Sequence, residues 1–267
     1  MQSADIVHDH TLLGPTLGAV HAGRPVVTTA HGPFRSECGP FYAAAAAGRV
    51  PIIAISRHQA SRAAGLLPVA TVIHHGIDVD AIRPSRHHRG YLVFLGRIHP
   101  DKGVAAAARI ARAAGVPLVI AAKMREPLEH QYFDAEVRPL LGCGVEFIGE
   151  VDAAMKYALL QHALALLNPI AWDEPFGMVM IEALACGTPV VAPPVASVPE
   201  LVTDGVTGII GPTAELVGRL AAAAELDRSA CRAEAEARFS LTRLALDHSR
   251  FYEQVLERER PATAVAQ

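Results

Sequence analysis

Short apolar runs recur along this chain, and between them apolar positions return with helical spacing. The runs at Asp5–Val7, Val26–Thr29, Ile52–Ile55, Thr71–His74, Leu92–Leu95, Leu118–Ala121, Val145–Ile148, Leu164–Leu167 and Pro189–Ala192 predict strands. They are continuous rather than alternating, which is the pattern of strands covered on both faces. Alanine-rich stretches such as Val104–Ala114 and Ala154–His162 predict the helices between them. Strand–helix alternation of this kind specifies α/β layers built on parallel sheets. The polar stretch 83–90, Arg-Pro-Ser-Arg-His-His-Arg-Gly, interrupts the pattern and predicts a linker. Three segments follow: a first domain over 1–86, a second over 87–240, and a helix with tail over 241–267 that crosses back to the first domain. The helix is expected over Leu241–Glu257, and the tail Pro261–Gln267 is expected to fray.

The stretch Trp172-Asp173-Glu174-Pro175-Phe176-Gly177-Met178-Val179-Met180-Ile181-Glu182 carries the most chemistry. A helix is predicted from Phe176 to Cys186, ended by Gly187 and Pro189. Its residues are apolar nearly all round, so it is buried, and a carboxylate on it needs a partner. The amides of Gly177, Met178 and Val179 form an anion site at the positive end of the helix dipole. Glu174 precedes the helix and Glu182 lies within it. The stretch thus offers amides for a phosphate and carboxylates for hydroxyl groups, and a nucleotide sugar carries both. Upstream, Arg97 and Lys102 lie between a strand and a helix, at the strand end where ligands bind in parallel sheets. Two cations there can neutralise a diphosphate. The loop lacks the Walker spacing, which disfavours nucleotide hydrolysis of that class.

These segments resemble the retaining, nucleotide-sugar-dependent glycosyltransferases of family 4. Glu174 and Glu182 match the family's E-x7-E motif, and the match continues through Ala183–Val191 and Pro199–Val202. Gly96-Arg97-Ile98-His99-Pro100-Asp101-Lys102-Gly103 resembles the family's phosphate loop. The resemblance runs from about residue 5 to about residue 255. It implies the GT-B fold: two Rossmann-like domains with parallel sheets, the N-terminal one truncated here, because Asp5–His10 resembles a strand late in that domain. It implies transfer of a hexose from a nucleoside-diphosphate sugar, with a UDP-sugar favoured, to an acceptor hydroxyl. The acceptor would be a sugar, a lipid-linked molecule or a small molecule, with no cofactor and no metal.

By resemblance Glu174 and His31 are the catalytic residues at the donor sugar, and Glu182 anchors the ribose. Arg97, Lys102, Gly177, Met178 and Val179 take the phosphates, and Gly149 and Val151 bracket the base. Ser56 resembles another family strand end, and Glu200 supports the loop near the phosphates. Two alternatives stay open: a non-catalytic nucleotide-sugar-binding remnant, and a GT-B sugar-nucleotide epimerase.

Composition narrows the picture further. The 267 residues carry a formal net charge of −3, which supplies no broad basic field for nucleic acid. Cys38, Cys143, Cys186 and Cys231 have no C-x-x-C spacing and read as reduced cytoplasmic thiols. No signal peptide or membrane-spanning run is read, so a cytoplasmic location is expected. Peripheral membrane contact and homodimerisation through an open sheet edge stay open. His8-Asp9-His10 and Asp78-Val79-Asp80 are metal-like in appearance only, and no metal role is assigned to them.

Overall fold

The computed structural model describes residues 4–11, 24–34, 37 and 39–259. Cys38 and the tail Pro261–Gln267 lie outside the described residues. The chain divides into two compact units, one of residues 1–76 with 241–267 and one of residues 77–240. The segment read as the linker therefore belongs to the second unit.

The first unit holds four parallel strands in the order β1-β2-β3-β4: β1 (Val7–Asp9), β2 (Val26–Ala30), β3 (Ile52–Ala54) and β4 (Val69–Val72). Strand alternation sorts its apolar residues to two faces. On one face Ala30, Ile52 and Ala54 pack with Tyr42 of α1 (Gly39–Ala47) and Ala63 of α2 (Arg57–Ala63). On the other, Val27 and Ile53 meet Phe251 and Val255 of the last helix, α10 (Leu241–Glu259). Covering on both faces explains the unbroken apolar runs. Two strands are displaced from their predicted positions. β1 is drawn toward Asp9 because Val7 pairs with Val26, and β4 stops at Val72 before the two histidines.

The second unit is a six-stranded parallel sheet. Its strands are β5 (Leu92–Arg97), β6 (Leu118–Lys123), β7 (Val145–Gly149), β8 (Ala165–Leu167), β9 (Val190–Ala192) and β10 (Gly208–Ile210). The order is β10-β9-β8-β5-β6-β7. From β5 the chain steps outward to β7 and then returns to the opposite side of β5 at β8. In open parallel sheets ligands bind near such a reversal, beyond the carboxyl ends of the strands. Sequence pattern misses β10, since a three-residue strand opening on glycine gives little periodic signal. Its glycine is required: a Cβ on Gly208 would lie 2.2 Å from the Val190 carbonyl oxygen.

Helices α3 (Val104–Ala114), α4 (Pro127–Tyr132), α5 (Ala153–His162), α6 (Met178–Ala185), α7 (Val198–Leu201), α8 (Leu216–Ala223) and α9 (Arg228–Phe239) cover the sheet. Alanines 107, 108 and 111 of α3 are fully buried against Leu92, Phe94, Leu118 and Ile120. Their small side chains let α3 lie close to the sheet.

Segment 77–90 is tied down by arginines. Buried Arg228 donates to the carbonyls of Ser85 (2.8 Å), Gln161 (2.8 Å) and Ala163 (2.9 Å) and to Thr188 Oγ1 (2.7 Å). Arg232 donates to the carbonyls of Ile82 (2.7 Å) and Ala185 (2.9 Å). Among the described residues, no helix is long and apolar enough to cross a membrane.

Candidate functional site: a cavity lined by paired lysines

The site begins with the loop that leaves β5. Gly103, with φ 76°, ends a short 3-10 turn over Pro100–Lys102 and caps α3. Its backbone lies so close to the loop after β8 that a Cβ would sit 2.0 Å from the Pro169 carbonyl oxygen. The Ala171 N–H donates to the Asp101 carbonyl at 2.9 Å. These contacts join the loop bearing Arg97 and Lys102 to the loop bearing Trp172 and Glu174.

Lys102 Nζ forms an ion pair and hydrogen bond with Glu174 Oε2. The Trp172 indole N–H donates to the same oxygen at 2.9 Å, and the Lys102 ammonium lies 4.8 Å from the Trp172 ring centroid. Glu174 is thus held by a cation and a neutral donor that also contact each other. Arg97 is aimed by Glu129, whose Oε1 lies 3.2 Å from Arg97 Nε. Glu129 is itself fixed by the backbone N–H groups of Arg125 (2.8 Å) and Glu126 (3.2 Å). The Arg125 amide first, with the Glu126 amide and the Arg97 charge, holds the Glu129 carboxyl below its usual range.

A second pair joins α5 to α6. Lys156, one turn into α5, lies 2.6 Å from Glu182 Oε1 on α6. Arg97, Lys102, Lys123, Val151, Lys156 and Trp172 line one cavity of about 630 Å³, within the size range of small-molecule sites. Glu174 and Glu182 each bond a lysine of that lining. Gly149 ends β7 with φ 79°, two residues before Val151.

α6 begins at Met178, not Phe176. Gly177 has φ 97°, a left-handed conformation that no helical residue holds, so it caps the helix. Helix geometry leaves the first-turn amides, including Met178 and Val179, without intrahelical acceptors. Ser197 donates its hydroxyl to the Phe176 carbonyl and so fixes the chain just ahead of α6. Glu200 lies in α7, where its carbonyl accepts from Arg238 at 2.6 Å.

Sequence reasoning misses Lys123, Lys156, Trp172 and Glu129 as members of this site. Lys123 at a strand end carries the same signal as Arg97. Glu129 is recognisable through the capping box it completes at Glu126.

His31 belongs to the first unit, just beyond β2. Buried Gln59 brackets it by donating to the carbonyls of Ala30 (2.9 Å) and Gly32 (2.8 Å). Ser56 is the buried N-cap of α2 and accepts from the Gln59 N–H at 2.9 Å. The His31 ring stacks on those of His10 and His75, with centroids 5.2 and 5.3 Å apart. His10 Nδ1 lies 3.0 Å from His31 Nε2. His8 completes the cluster, 2.5 Å from the Tyr252 hydroxyl and 2.8 Å from Thr29 Oγ1. Among the described residues, no three His, Cys, Asp or Glu side chains are grouped to hold a metal ion. Asp78 caps a turn by accepting from the Ala81 N–H at 3.2 Å.

Burial, reinforced by the neighbouring imidazoles, pushes His8 and His75 down to about 4. Burial first, then neighbouring imidazole charge, also lowers His10 and His31. In the unfolded chain these rings protonate near 6.5. Between the two values the unfolded state binds more protons, so the contribution to stability is whole above about 6.5 and lost as pH falls toward about 4. The first unit is therefore expected to lose on the order of 10 °C in Tm between neutral pH and about pH 4.5, after allowance for solvent screening. Thermal melts across that window check this, and His75→Gln should flatten the slope.

The family model for glycosyl transferases group 1 matches residues 89–226. The chain is 32% identical over 186 residues to glycogen synthase of Mycobacterium tuberculosis, covering 66% of this chain and 44% of that protein. It superimposes on AviGT4, a glycosyltransferase involved in avilamycin A biosynthesis, with TM-score 0.76 and 28% identity, over 96% of this chain and 75% of that one. It also superimposes on Alr3699/HepE of Anabaena in complex with UDP-glucose, with TM-score 0.77 and 22% identity, over 94% and 79% of the two chains. The chain spans about half the length of the curated relatives it matches. It belongs to the group 1 glycosyltransferases, and its two parallel sheets are those of the GT-B fold.

Proposed function

We propose that the second unit binds a nucleoside-diphosphate sugar, a UDP-sugar in the first instance. The protein then transfers the hexose, with retention, to an acceptor hydroxyl. The observation that carries this reading is one cavity beyond the carboxyl ends of β5 and β6, lined by Arg97, Lys102 and Lys156, whose two lysines each pair with a glutamate. Arg97 and Lys102 suit a diphosphate, as do the amides of Gly177, Met178 and Val179. Glu182 suits the ribose diol, and Gly149 and Val151 suit the base. Glu174 and His31 act at the sugar, Glu174 by positioning and electrostatics rather than as a covalent nucleophile. The UDP-glucose bound by Alr3699/HepE supports a donor of this class. The cations and amides can carry leaving-group charge by themselves, so the reading includes no metal.

Calorimetric titration with UDP, GDP and ADP tests it. Saturable binding of one nucleotide is expected, weakened about 10- to 100-fold in Arg97→Ala by loss of a charge-assisted contact. Unchanged affinity in that variant overturns the phosphate assignment. Product analysis with and without acceptors then separates transfer from epimerisation, and binding without turnover favours a binding module.

A further inference from the structure

We infer that Lys156 is a positioning residue for the nucleoside half of the donor, acting through Glu182; the inference rests on the nucleotide reading above. Glu182 projects from a helix whose neighbouring residues Ile181 and Ala183 are fully buried. A carboxylate in such surroundings is oriented by whatever bonds it, and Lys156 bonds Oε1 at 2.6 Å. Among the described residues, no hydrogen bond engages Oε2. A carboxylate has roughly four acceptor positions, so the lysine fixes its plane and leaves capacity for a vicinal diol.

Lys156 is placed with equal care. Asp152 caps α5 by accepting from the Met155 N–H at 2.8 Å, which sets where the first turn points. The Lys156 ammonium lies 4.7 Å from the Tyr157 ring centroid, a contact that restrains a flexible side chain. Lys102 serves a different carboxylate and stands on the phosphate-type loop. The two lysines thus divide the cavity into a diphosphate side and a nucleoside side. A residue that works through Glu182 must act on the ribose hydroxyls and not on the phosphates.

That division is measurable with ribonucleotides and their 2′-deoxy counterparts. UDP, GDP and ADP are titrated beside 2′-deoxy-UDP, 2′-deoxy-GDP and 2′-deoxy-ADP into the full chain and into Lys156→Ala and Lys156→Arg. Lys156→Ala is expected to weaken the preferred ribonucleotide about 10- to 100-fold and its 2′-deoxy form by less than about threefold. Lys156→Arg is expected to restore most of the ribose preference. Equal losses for both nucleotides, or no loss, overturn the inference and leave the nucleotide reading standing. No binding of any nucleotide by the wild-type chain overturns the nucleotide reading and this inference with it. If melts show Lys156→Ala misfolded, Lys156→Gln, which keeps a donor without the charge, carries the same comparison.

Discussion

Gly103→Ala is expected to reduce nucleotide affinity at least about 100-fold and to lower the Tm of the second unit by about 10 °C. The added methyl would lie 2.0 Å from the Pro169 carbonyl oxygen and 2.8 Å from its carbon. Both are backbone atoms, so no side chain can swing aside. The left-handed φ of 76° adds strain of roughly 1 kcal/mol for any residue with a Cβ. Relief requires the two loops to part, which separates Lys102 from Glu174 and Trp172. Gly115→Ala is the matched control. Its φ is 66° and nothing lies within 4 Å of the added methyl, so it should show the strain alone and keep nucleotide affinity. Equal effects of the two substitutions in melts and titrations would show that close approach is not what Gly103 supplies.

The second large effect is expected at Glu174. Glu174→Ala should leave affinity for the nucleoside diphosphate within about threefold. Turnover of the nucleotide sugar, read as transfer or as donor hydrolysis, should fall by about 10²–10³. The asymmetry follows from the contacts. Lys102 loses a partner but keeps its place over the Trp172 ring, so on the proposed function a diphosphate should still find its cation. On the proposed function the sugar loses the carboxylate that Lys102 and the Trp172 indole jointly aim. A parallel fall in nucleotide affinity would assign Glu174 to holding the loop together.

The fold is largely readable in the sequence because its evidence is local. Buried parallel strands are unbroken apolar runs, and Val104–Ala114 is a helix between two glycines in sequence as in space. Boundaries move where a single backbone conformation decides. Gly177 marks the start of α6 because its φ is positive, and spacing of apolar residues does not encode φ. Segment 83–90 reads as polar linker, yet its Ser85 carbonyl accepts from Arg228, 143 residues further on. The site divides in the same way. Arg97, Lys102, Glu174 and Glu182 stand in motifs that the chain displays contiguously. Lys156 matters only through Glu182, 26 residues further on, and an isolated lysine in a helical stretch does not distinguish itself from solvated ones.

Arg228 bears on how the second unit comes apart. Its guanidinium is anchored to acceptors in three separate stretches of chain, at Ser85, at Gln161 with Ala163, and at Thr188. Opening any one stretch alone strands a buried donor against neither water nor protein, at a cost of about 1–3 kcal/mol. Partial unzipping is therefore penalised at every starting point. Segment 77–90, the α5–β8 turn and the approach to β9 are expected to release together, as one cooperative block.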